Sequence, residues 1–227
     1  MEELALVENL TKVYKIGQIE YPALRGVSMH IYSGELLAIV GPSGSGKSTL
    51  LQIVGGLDRP TKGKVVVDGV DISELNGNEL AEYRNKKIGF VFQFFNLIQY
   101  LKAVENVELP LAIAGVGAKT RRSRALELLG LFGLGDKVMK RPSELSGGEQ
   151  QRVAIARSLV CEPRLILADE PTGNIDTQSS MVVVDAFRKL VDEKNVAIAM
   201  VTHNLELTKV CDRTIKLRDG QIVDAGE

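Results

Sequence analysis

A chain of 227 residues with 44% hydrophobic residues can bury a substantial core, and its charges balance to −1. That balance gives no overall field for nucleic acid, and no apolar run approaches the ~20 residues of a membrane-spanning helix. The acidic start Met1-Glu2-Glu3 is unlike a secretion signal, and Cys161 and Cys211, far apart, read as two buried thiols of a reducing compartment, so a soluble, cytoplasmic protein is expected.

In chain order, strand-like runs alternate with helix-like segments, as in an α/β sheet. An alternating N-terminal region holds Tyr14 and His30; no role is assigned to His30. The all-apolar run Leu36–Val40 enters a glycine-rich loop, and helix formers follow from Lys47 to about Val54. Residues 64–68, 88–92, 165–168, 196–201 and 214–217 read as further strands, with turns at Asp68-Gly69, Asn76-Gly77 and Asp219-Gly220. From about Phe94 to Val160 the pattern is helical, with 103–114, 119–131 and 149–160 as the main candidates. Val153, Ala156 and Val160 give the last of these one apolar stripe. A helical subdomain, residues 94–160, is therefore expected inside a core of 1–93 and 161–227. The chain runs about ten residues beyond the last strand-like run, so no appended regulatory domain is expected. The basic run 119–124 reads as the solvated face of a helix.

Gly41-Pro42-Ser43-Gly44-Ser45-Gly46-Lys47-Ser48 is a full phosphate-binding loop, G-x-x-x-x-G-K-[ST], between a strand and a helix. Its glycines let backbone N–H groups turn inward around a polyphosphate. Lys47 supplies a point charge, Ser48 a hydroxyl for Mg²⁺ and Thr49 one for phosphate. Asp169 and Glu170 end a buried strand: the first suits Mg²⁺, the second an attacking water. Leu145-Ser146-Gly147-Gly148-Glu149-Gln150 is a second glycine-rich segment. Ser146 followed by Glu149 also fits a helix capping box, and the two uses are compatible.

Together with Gln93 and His203, these segments resemble the ATP-binding-cassette (ABC) ATPases, from about Leu4 to about Asp224. The resemblance implies a P-loop NTPase (RecA-like) α/β core with an N-terminal antiparallel β subdomain and an inserted α-helical subdomain, constituting one ABC ATPase domain over 1–227. It implies ATP and Mg²⁺ as ligands, and a head-to-tail homodimer formed around two MgATP. In that arrangement Gly41, Ser43, Gly44, Ser45, Gly46, Lys47, Ser48 and Thr49 of one copy and Ser146, Gly147, Gly148 and Glu149 of the other enclose one ATP. Tyr14 stacks on adenine. Gln93 touches Mg²⁺ or the lytic water, Asp169 and Ser48 hold the metal, and Glu170 and His203 handle the water and γ-phosphate. Asp176, in Gly173-Asn174-Ile175-Asp176, faces the opposite copy; Ile175 stands where leucine is usual, and Asn204 where an aspartate commonly follows the histidine. With Glu170 intact, hydrolysis is expected.

The block Phe90–Ile98, followed by Val104–Val107 and Leu109-Pro110, is similar to the ATPases of lipoprotein-releasing and macrolide-export systems. That likeness implies an integral membrane permease as partner, a peripheral place on the inner membrane face, and no nucleic acid. Phe94 and Phe95 are expected either in the groove that receives the permease or packed within the helical insert. A soluble ABC protein acting on the cell-division machinery, ribosome or nucleic acid is the alternative. A P-loop kinase or switch outside the family has no need of Leu145–Glu149.

Overall fold

The computed structural model describes residues 2–225. Two long strands, β1 (Glu3–Ile16) and β2 (Ile19–Tyr32), pair antiparallel. In β2, Val27, Met29 and Ile31 are buried while Ser28 and His30 face out, the period-2 pattern of a sheet with one wet face. β4 (Lys62–Val67) and β5 (Val70–Asp71) extend this sheet in the order β2-β1-β4-β5.

The second sheet is built from β3 (Leu36–Val40), β6 (Ile88–Phe92), β7 (Leu165–Asp169), β8 (Ala197–Val201), β9 (Arg213–Arg218) and β10 (Gln221–Asp224). Its order is β10-β9-β3-β8-β7-β6, and every pairing is parallel except β10 with β9. All five residues of β3 and of β8 are buried, as expected of central parallel strands covered on both faces. One face packs with the first sheet and α1 (Lys47–Val54) around Leu37, Ile39, Leu50 and Leu167. The other packs on α6 (Thr177–Lys194) through Ile166, Ile198, Val183 and Phe187.

Between β6 and β7 run α3 (Ala103–Ile113), α4 (Ala118–Leu131) and α5 (Gly147–Leu159), around their own core of Val104, Val107, Leu129, Val153 and Ala156. α5 is more deeply placed than a one-stripe helix. Ile155 and Leu159 join the core of the large sheet while Val153, Ala154 and Ala156 join the helical core. The helix thus sits between two hydrophobic bodies, and it begins two residues earlier than its periodicity suggests.

Where an element was expected, its limits otherwise fall within two residues, while the short strands β5 and β10 have no counterpart in the sequence reading. Two helices lack a sequence forecast. α2 (Gly77–Lys87) buries only Leu80 and Tyr83, so it carries little apolar periodicity. Asn76-Gly77 is its start rather than a turn: the Asn76 side chain accepts from Asn78 N and Glu79 N, and Glu79 answers in a capping box. α6 contains Val182-Val183-Val184, which by propensity favours strand; burial of one face overrides it. The basic run is less solvated than its composition suggests, since Arg121 and Arg122 pair with Glu108, and Arg124 with Glu162. Both cysteines are half-buried free thiols rather than sealed ones.

Asn106 of α3 is fully buried and fully used. Its Oδ1 accepts from Ile98 N at 2.8 Å, and its Nδ2 donates to Ile98 O, Leu101 O and Lys102 O, each at 3.1 Å. It therefore shapes the loop leading from β6 into the helices. Asn106→Ala orphans these groups and is expected to lower unfolding free energy by about 2–3 kcal/mol, read from urea denaturation.

Candidate active site

The register of the parallel strands sets the site. Ile39 pairs with Val201, Val201 with Asp169, and Asp169 with Phe92, one row across β3, β8, β7 and β6. One step beyond that row come the glycine loop, Thr202-His203, Glu170 and Gln93. Four candidate segments thus leave the sheet at the same level, at the carboxyl ends where open α/β sheets hold ligands.

The glycines of the loop answer steric demands. A Cβ on Gly41 lies 2.0 Å from Leu217 O, and one on Gly46, whose φ is +100°, lies 2.5 Å from Ala23 O. α1 begins at Gly46 with no side-chain cap, so its first N–H groups are left for an anion. Lys47 is buried and folds back over the loop, donating to Gly41 O at 2.9 Å and Pro42 O at 2.8 Å. Burial holds its ammonium below the ordinary lysine range, and the Glu170 and Asp169 carboxylates pull it part of the way back.

Ser48 Oγ donates to Asp169 Oδ1 at 3.0 Å. This contact crosses from the first turn of α1, after β3, to the end of β7, past the whole of β8. Burial raises the Asp169 carboxyl above its usual range; the Ser48 hydrogen bond opposes that rise and neighbouring Glu170 adds to it. Glu170 adopts φ +48°, a region seldom used outside glycine. Its N–H donates to Val201 O at 3.0 Å, and Gly173 N donates to Glu170 O at 3.0 Å, which holds the turn. His203 Nδ1 stands 3.3 Å from Glu170 Oε2. Asn204 closes the segment: its N–H donates to Thr202 Oγ1, and its Oδ1 accepts from Glu206 N at 2.9 Å, a contact a carboxylate makes equally well.

Gln93 lies against the stretch after Glu170. A Cβ on Gly173 is 2.8 Å from Gln93 Nε2, and Asn174 Nδ2 donates to Gln93 O at 3.0 Å. Asp176 caps α6, accepting from Ser179 N at 2.9 Å and Ser179 Oγ at 2.6 Å.

Tyr14 lies to one side. Its hydroxyl donates to Asp58 Oδ2 at 2.8 Å, and Lys12 Nζ, also bound to Asp58, stands 4.8 Å over the ring centroid. Burial and the Asp58 hydrogen bond raise its pKa.

Ser146 starts α5 with a capping box: Ser146 N donates to Glu149 Oε2 at 2.8 Å, and Glu149 N to Ser146 Oγ at 3.3 Å. The backbone hydrogen bond from Ser146 holds the Glu149 carboxyl below its usual range. Gly147 and Gly148 pack on the chain's own 174–179 segment; a Cβ on Gly148 is 2.3 Å from Ser179 Oγ. Among the described residues, no hydrogen bond or ion pair joins 145–150 to 41–49. The structure gathers the phosphate loop, Gln93, Asp169, Glu170 and His203, and leaves Ser146–Glu149 as a separate surface.

Sequence reasoning missed Asp58, Gln151 and Arg157. Gln151 is buried against Pro171 O and Phe92 O. Arg157 donates to Asn96 O at 2.6 Å and Phe95 O at 2.9 Å, where both backbones have positive φ. Nothing in the composition of α5, which mixes polar and apolar residues throughout, sets Gln151 or Arg157 apart, and Asp58 lies in a loop outside it.

The donor set fits a magnesium triphosphate. Among the described residues no three His, Cys, Asp or Glu side chains gather. One carboxylate and one hydroxyl beside a phosphate loop suit an ion that keeps waters and phosphate oxygens as its other ligands.

The sequence matches the ABC transporter family over residues 24–173. It is 48% identical to a lipoprotein-releasing system ATP-binding protein, LolD, of Geobacter metallireducens, across 98% of this chain and 99% of that one. It is 46% identical to the macrolide export ATP-binding/permease protein MacB of Syntrophobacter fumaroxidans, across 97% of this chain but 31% of that longer one. The fold superposes on the dimeric ATP-binding cassette MJ0796, in a post-hydrolysis state with ADP and Pi, with TM-score 0.92 at 42% identity over 99% of this chain and 98% of that one. The chain belongs to the ABC transporter family, as an ATP-binding and ATP-hydrolysing subunit. Among its described residues no helix is long and apolar enough to cross a membrane.

Because burial destabilises ionised Asp169, removing its charge relieves the folded state. Nucleotide-free Asp169→Asn is expected to melt above the native chain at neutral pH while losing Mg²⁺-dependent turnover. A carboxylate with a raised folded pKa takes up its proton first in the folded state, so the native chain regains that stability as pH falls through the raised value. The two melting curves should converge in acid, as differential scanning fluorimetry across pH reads directly.

Proposed function

We propose that two copies of this chain close head to tail on two MgATP and, by doing so, move a membrane permease. The observation that carries this reading is the Ser48–Asp169 contact beside the phosphate loop, with Glu170 and His203 one row further on. Gly41, Ser43, Gly44, Ser45 and Gly46 wrap the phosphates, Lys47 sets a charge near the β- and γ-phosphates, and Thr49 adds a hydroxyl. Ser48 and Asp169 hold Mg²⁺, with Gln93 beside them; the ion supplies neutralisation of phosphate charge when bound. Glu170 receives the proton of a water directed at the γ-phosphorus, and His203 keeps that carboxylate in place. Tyr14 stacks on adenine.

Positive charge opposite the attacking water comes from the other copy. Its Ser146 hydroxyl, the Gly147 and Gly148 N–H groups and the start of α5, where Glu149 completes the cap, face the triphosphate. Asp176 holds the neighbouring loop against that copy. The ligand favours the closed pair over the open one, and that difference is what performs mechanical work.

Residues 94–160 form the helical subdomain in this reading, with 1–93 and 161–227 as the core. A groove of about 440 Å³ runs between the two parts, lined by Leu57, Phe90, Phe92, Pro110, Ile113 and Arg157, and it suits an apolar segment of the permease. Neither Phe94 nor Phe95 lines it: Phe94 is 74% exposed on the loop leaving β6, and Phe95 packs into the helical core. Held by that partner, the protein works at the cytoplasmic face of the membrane. The permease belongs to the lipoprotein-releasing and macrolide-export class.

Glu170→Gln is expected to bind MgATP, hydrolyse it at least about a hundredfold more slowly, and accumulate as a dimer on gel filtration. A profile that stays monomeric under saturating MgATP contradicts the closed-pair reading. Ser146→Arg should keep nucleotide affinity within about twofold while removing turnover; native turnover in that variant rules out the second glycine-rich segment as part of the reaction centre.

A further inference from the structure

Gln151 is 0% exposed in α5, a rare position for glutamine. Its Nε2 donates to Pro171 O at 2.6 Å and reaches Phe92 O at 3.4 Å, while its Oε1 is buried with no partner among the described residues. The two carbonyls settle which end of the amide is nitrogen, because the reversed side chain sets oxygen against oxygen. For packing alone a leucine of similar volume is better, since it brings no orphaned acceptor into the core. The side chain is therefore explained by what its nitrogen holds. Pro171 directly follows Glu170, and Phe92 directly precedes Gln93.

We propose that Gln151 is a positioning residue that joins the segment serving the opposite copy's ATP to the strand ends serving this chain's own; this rests on the paired-site reading above. Gln151 lies about one helical turn beyond Ser146–Gly148. A displacement of the start of α5 pulls the Pro171 and Phe92 carbonyls, and through them Glu170 and Gln93. Engagement of one triphosphate by α5 thereby sets the carboxylate that acts on the other. Gln151 touches neither nucleotide; it acts by fixing where Glu170 and Gln93 stand.

Two variants of the full-length chain test this. Gln151→Leu keeps the volume and removes the orphaned oxygen along with the donated bonds, so its melting temperature should stay within about 3 °C of native. Its kcat should fall by about fivefold or more while KM for ATP changes by less than about twofold. Gln151→Glu sets a carboxylate against two carbonyl oxygens at neutral pH and regains a donor only when protonated. Its turnover relative to native should therefore rise as pH falls, a profile that loss of packing alone does not produce. Native kcat in Gln151→Leu, or a fall in kcat matched by an equal loss of folded protein, overturns the proposal, as does a flat relative pH profile in Gln151→Glu. Ser146→Arg run in parallel separates the two levels. If it is inactive while Gln151→Leu is native, only the positioning role is wrong. If it is active, the paired-site reading fails and the role of Gln151 fails with it.

Discussion

Everything the site does depends on four parallel strands ending level. The row Ile39, Val201, Asp169 and Phe92 is fixed by backbone hydrogen bonds between strands whose side chains are almost all buried. A register slip of one residue turns every side chain to the opposite face and mismatches the two separate cores packed on either side, so the register is held strongly. The Ser48–Asp169 contact is its chemical consequence: two groups more than a hundred residues apart meet at 3.0 Å because their strands stop on the same line. Within that frame, local strain is affordable. Glu170 keeps its positive φ because its N–H is held by Val201 O of the sheet and its carbonyl by Gly173 N within the turn.

α5 is the second organising element. It separates the core of the large sheet from the helical core and contributes side chains to both. Gln151 and Arg157 project from it to the backbone on either side of Gln93, at Phe92, Phe95 and Asn96. Its start packs on 174–179, where a glycine is needed at 148. A helix so engaged cannot tilt without moving the loop after β6 and the turn after β7.

Much of this was legible in the chain because the phosphate loop, Asp169-Glu170 and Ser146–Glu149 are contiguous segments whose chemistry needs neighbouring residues. β3 and α1 flank the loop as its pattern requires, and His203 follows β8 by two residues. Contacts between distant backbone atoms were not legible. Nothing local in Gln151 announces Phe92 O, 59 positions away, and nothing in Tyr14 announces Asp58, 44 positions away. α2 was missed because only two of its residues are buried, and its asparagine-glycine start has the composition of a turn. Of the two placements open to Phe94 and Phe95, a groove for the permease or packing within the helical insert, Phe95 takes the second, while Phe94 stays exposed on the loop leaving β6.

The central claim is that one copy carries the phosphates, metal ligands and water-handling carboxylate, and a second copy completes the reaction centre. The most direct measurement is ATP turnover per chain as a function of chain concentration, with gel filtration in the same buffer. The account predicts a per-chain rate that vanishes at dilutions where only monomer is present and climbs to a plateau as pairs form. A per-chain rate that stays constant down into the purely monomeric range contradicts it.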